Sequence, residues 1–159
     1  MPRLYLVEFE AQTIAAASGD IDLFSLDAAT DKPIELVEVC LGQTTELGDT
    51  AEEQLRIRYI RGHTTVGSGG ASATPRPATA NDAAAGTTAR TLDTTVASVG
   101  TAINLPSETW NIRSPYQWGP RPQGMGLWTS GAELLVVRLM AAVADDLTAS
   151  GWCSFYEYP

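Results

Sequence analysis

The chain has 159 residues, 44% hydrophobic and 18% charged, a length that buries roughly 70% of its unfolded surface in one domain without help from a metal or a disulfide. Its formal net charge of −9 repels a phosphate backbone, and no segment gathers the basic residues that counterion release requires, so no nucleic-acid partner is expected. Lys occurs only at Lys32 and the remaining cations are Arg, the type suited to bidentate pairing at protein contacts.

Period-two alternation dominates the chain. LYLVEFEA at the start puts Tyr5, Val7 and Phe9 on one face and Glu8 and Glu10 on the other, a half-buried first strand. Those glutamates also interrupt the apolar region that a secretion signal would need, so no signal is expected. IDLFSL (21–26) reads as a second strand. Pro33 opens a third, IELVEVCL (34–41), in which Glu35, Val37, Val39 and Leu41 oppose Ile34, Leu36, Glu38 and Cys40; both faces are largely apolar, which marks a central strand. The polar connection after it pairs Thr50 with Glu53 as either a capping box or a plain loop. QLRIRYIRG then sets Leu55, Ile57 and Tyr59 against Arg56 and Arg58, which are expected to meet glutamates across the sheet.

GHTTVGSGGASATPRPATANDAAAG (62–86) is longer than compact domains leave unstructured. Its GSGG favours a mobile loop. TPRPAT, by contrast, holds Thr74, Pro75, Arg76 and Pro77 extended, as an arm that a neighbouring subunit would order. Such an arm, deleted over 67–80, should leave the fold intact. NDAAAG would form a helical turn capped by Asn81. Farther on, TTARTLDTTVASVGTAINL gives one or two strands, and ETWNIRSPYQWG aligns Trp110, Ile112, Ser114, Tyr116 and Trp118 on one face, with Pro115 marking an edge or a break. The loop GPRPQGMG is flanked by Trp118 and Trp128 and contains Arg121; these three, with 74–77, are the candidate protein-contact residues. LLVVRLMAAVA (134–144) is apolar on both faces except at Arg138 and is too short to cross a bilayer, so no membrane partner is expected. SGWCSFYEY supplies the last strand. The whole predicts an all-β, antiparallel two-sheet sandwich of jelly-roll type over 1–159, with one long Gly/Pro-rich arm.

No constellation of catalytic or metal-ligand residues is found, and no cofactor is expected. The single histidine, His63, reads as a loop residue, and a nucleophile without an imidazole beside it lacks its base. The aspartates of GDID (19–22) and Asp145–Asp146 lack calcium-loop spacing and read as turn residues. Cys40 and Cys153 read as free thiols; a bridge would need adjacent strands with matched geometry. Carboxylate pairs for glycoside hydrolysis are not legible in sequence.

LGQTTELGDTAEEQLRIRYIRGHTTVGSGGASATPRP, with TTVASVGTAINL and LLVVRLMAA, resembles small β-rich virion proteins of tailed bacteriophages and prophages. The resemblance implies a capsid decoration or cement protein, not an enzyme, that binds the major capsid protein as a small symmetric homo-oligomer such as a trimer, in virions assembled in the host cytoplasm. It carries over no functional residues. A tail, fibre or carbohydrate-binding module using Trp118 and Trp128 is the alternative.

Overall fold

The computed structural model describes residues 1–16, 18–44 and 53–159. The Thr50 capping reading lies outside them. Among the described residues there are twelve strands and no helix, hence no helix able to cross a membrane.

The strands are β1 (Arg3–Ile14), β2 (Ile21–Asp27), β3 (Ile34–Gln43), β4 (Gln54–Thr65), β5 (Ala71–Ala73), β6 (Arg76–Pro77), β7 (Thr88–Asp93), β8 (Ser98–Asn111), β9 (Tyr116–Trp118), β10 (Leu127–Thr129), β11 (Leu134–Met140) and β12 (Leu147–Glu157). One sheet runs β10-β3-β12-β1-β6, with β9 beside β10 on the same edge of β3; the other runs β5-β7-β2-β11-β4-β8. All pairings are antiparallel. With β9 and β10 taken as one interrupted strand, β1-β12-β3-β9/β10 faces β2-β11-β4-β8. First strand pairs with last and second with penultimate, which is jelly-roll order.

The core lies between the sheets and takes the inward rows: Tyr5, Val7 and Phe9 from β1, Leu55, Ile57 and Tyr59 from β4, Leu135, Val137 and Leu139 from β11. In β3 the expected alternation breaks. Ser154 pairs with Glu38 but Phe155 with Leu36, leaving Val37 as an extra residue. Such a bulge shifts side-chain parity, so Ile34 and Leu36 share the core with Val39 and Leu41. Pro115 marks a change of sheet: β8 ends at Asn111 in one sheet and β9 begins at Tyr116 in the other.

The long stretch after Gly62 is ordered on its own molecule, which departs from both sequence readings. β4 and β8 are neighbours, yet the chain between them travels to the opposite edge of the sandwich, where β7 and β5 extend one sheet past β2 and β6 extends the other past β1. On the way, Ser68 and Thr95 exchange backbone hydrogen bonds of 2.9 Å. A Cβ on Gly67 would sit 2.3 Å from the Thr95 carbonyl oxygen. Close backbone approach, rather than mobility, therefore accounts for glycine there. NDAAAG forms no helical turn; one turn closes at Asp82 N to Thr79 O.

Candidate functional site

The extended segment is fastened along its length. Pro75 is buried, and Arg76 and Pro77 pair with Leu6 and Tyr5 on the edge of β1, while Thr74 is exposed. Arg76 Nη1 donates to Glu8 Oε1 at 2.8 Å, and the Tyr5 hydroxyl donates to the Ala83 carbonyl at 2.9 Å. At its far end the Glu157 carboxylate receives Gly86 N, Thr87 N and Thr87 Oγ1 at 3.1, 2.7 and 2.8 Å, with Lys32 Nζ at 3.2 Å. Burial alone would raise the Glu157 pKa, but these donors together hold it below the ordinary glutamate value.

Trp118 and Trp128 do not form a shared platform. Trp118 pairs with Val39 and Trp128 with Glu35, and those two positions lie on opposite faces of β3. Trp118 is buried, 5.0 Å from the Tyr59 ring, and Arg121 lies 5.1 Å over it. The expectation of an exposed Trp118 is thus corrected: the ring completes the core and only Arg121 faces solvent. Trp128 is half-buried against Tyr158 at 4.5 Å.

Among the described residues Arg56 and Arg58 form no ion pair with a glutamate. Arg58 lies between Arg138 and Ser107, and Arg56 between Met140 and Thr109. Arg138 is instead claimed by Asp22, buried and 2.5 Å from its Nε. Asp22 Oδ2 also accepts from Ala97 N at 2.6 Å, and Arg138 donates to the Ala97 carbonyl at 3.1 Å. Burial pushes the Asp22 pKa up against these donors. The ion pair thereby pins Ala97, immediately before β8, onto Ile60, Leu134 and Val136. His63, expected in a loop, lies in β4; its Nδ1 is 3.1 Å from the Val99 carbonyl, a second tie at the head of β8.

Cys40 and Cys153 are on adjacent strands, but Cys40 pairs with Trp152 and Cys153 with Val39. Consecutive residues of β12 face opposite ways, so the thiols point to different faces and both are free. Among the described residues no group of three or more metal-ligating side chains occurs.

What sequence reasoning missed is the edge position of β8, within the segment read as one or two strands. This strand is a sheet edge, paired only with β4 among the described residues. SVGTAINLPS, its first part, bears no charge, and residues 98–104 are exposed on both faces, with Val99 at 65% and Ile103 at 45%. Native edges are ordinarily blunted with charge, proline, bulges or short length; this run lacks charge and is long, while Pro106 and two register shifts against β4, at Arg58/Ile60 and Arg61/His63, interrupt it. The absence of Asp, Glu, Lys and Arg was legible; the edge position depended on strand order.

No known family matches the chain, and no curated protein does. Among solved structures it is similar to chains in two particles of infectious bursal disease virus. The crystal structure of the T13 particle aligns with 99% of this chain and 40% of that one at 16% identity and a TM-score of 0.24. The Gx strain aligns with 100% of this chain and 42% of that one at 17% identity and a TM-score of 0.20. The chain spans about two fifths of those polypeptides. The jelly-roll assignment rests on strand order and not on these superpositions.

Proposed function

We propose that the protein is a structural component of a virus particle, a decoration or cement protein that docks on the major capsid shell through the β8 edge and binds rather than catalyses. The observation that carries the proposal is the edge strand β8, uncharged over 98–107 and exposed on both faces over 98–104, fixed at its head by Asp22, Arg138 and His63. A rigid edge of that kind is a template for strand addition, in which backbone hydrogen bonds supply affinity. Two supports point toward a virion: the sequence resemblance to phage virion proteins, and the jelly-roll order, which shell domains share with lectins and cupins. Fold alone does not assign a role. The clamp is therefore moved from 62–86, which is engaged on its own sandwich, to β8.

The test is co-sedimentation of the purified protein with particles of the phage that encodes it. Ile103→Lys places a charge on the exposed face and should change folding stability by no more than about 0.5 kcal/mol. Particle binding should fall tenfold or more. Undiminished binding by this folded variant would remove β8 as the docking element.

A further inference from the structure

A second surface lies far from β8 in the strand order. The outward side of the β1-β12-β3 sheet carries a cross-strand row in which Trp152 lies between Glu8 and Cys40. Trp152 is half-buried and lines two adjoining hollows: a groove of about 980 Å³ that runs over the β1 edge to β5, and a shallower depression of about 490 Å³ along β3. Together they leave the indole between two open spaces. One is kept open by Gly42, where an added Cβ would meet nothing within 4 Å. Gly42 has neither a positive φ nor a close neighbour that demands glycine, so the missing side chain serves the hollow rather than the backbone.

We infer that this Trp152 groove binds a neutral oligosaccharide. The chemistry around the ring is a mixture of acceptors and neutral donors rather than a single charge. Glu8 and Glu10 are exposed on the rim of both hollows, and the Gln43 amide lines the second. Among the described residues the only cation lining either hollow, Arg76, is already bonded to Glu8 at 2.8 Å. Carboxylate oxygens accept from vicinal hydroxyls, while an indole face takes the apolar C–H side of a sugar ring, an amphipathic match of flat body to polar rim. Among the described residues Glu10 has no ion pair, which disfavours sialylated, sulfated or phosphorylated sugars because like charges repel. The volume is within the roughly 300–1,000 Å³ of small-ligand sites. This assignment is independent of docking through β8, and it replaces the Trp118 and Trp128 platform that the structure divides between two faces.

The test titrates the full chain with maltose, cellobiose, lactose and diacetylchitobiose, followed by tryptophan fluorescence and calorimetry. Saturable binding of at least one is expected, weakened tenfold or more by Trp152→Ala. Because truncating a half-buried ring could disturb the sheet, Gly42→Leu serves as the second variant; it fills the hollow from an unobstructed position and should weaken binding equally. Trp128→Ala and Ile103→Lys should retain it, so a failure of the β8 proposal leaves this result readable. Absence of binding to all four sugars at millimolar concentration would overturn the inference. So would affinity unchanged in both groove variants, or occupation of the groove by an Arg-rich peptide that no sugar displaces.

Discussion

Asp22 serves two partners at once, the Arg138 guanidinium and the Ala97 amide, and through them it fixes the approach to β8. Removing one member of a buried ion pair strands the other charge, and such losses run to about 3–5 kcal/mol. Asp22→Ala should therefore lower unfolding stability by about that much in urea titration, whereas Arg76→Ala, which breaks an exposed pair with Glu8, should cost no more than about 1 kcal/mol. Equal costs would mean that the buried pair is not what holds the crossover. Glu157 gives a pH dependence of definite sign. Its folded pKa is depressed, so its stabilisation is complete above the ordinary glutamate value and is withdrawn as pH falls through the folded one. Protection of the Gly86 and Thr87 amides against hydrogen exchange, relative to their intrinsic rates, should fall as the pH drops below the ordinary glutamate range, and Glu157→Gln should flatten that acid limb. At this scale the sequence was a partial guide. Tyr5, Val7, Phe9, Leu55, Ile57 and Tyr59 read correctly as inward because simple alternation governs them. Trp118 did not, because the burial of a residue at a loop margin depends on which strand receives it.

Strands with clean alternation were legible as elements, and Pro115 announced the break that became a change of sheet. Two devices hid the rest. The Val37 bulge reverses parity within β3, a shift that no pattern along one strand can show because it is defined by the partner's register. The 62–86 segment has the composition of a linker, yet it builds edges for both sheets: its short strands β5 and β6 contribute little local signal, and their partners, β7 and β1, are distant in sequence. That placement changes what a deletion should do. Excising 67–80 removes β5 and β6, uncovers the edges of β1 and β7, and takes away the Gly70 amide that Asp93 accepts at 3.0 Å. Melting temperature should fall by about 10 °C or more, at roughly 2–4 °C per kcal/mol for a domain of this size. A melting curve unchanged by the deletion would show the segment to be a detachable arm after all.

For the molecule as a whole, charge distribution matters more than total charge. At −9 the surface resists casual self-association, and the uncharged run of β8 is where the proposed docking partner would meet the least repulsion. The ion pair at its head and the His63 contact fix the start of β8, which among the described residues is the unpaired edge beyond β4. Strand order, which local pattern does not encode, is what converts an unremarkable Thr- and Ala-rich run into that edge. Electron cryomicroscopy of native particles carrying the protein is the most direct measurement. Backbone density from a shell subunit or a second copy alongside Ser98–Ser107 is the expected result. Particles in which those residues face open solvent, with contact made through another surface, would contradict it.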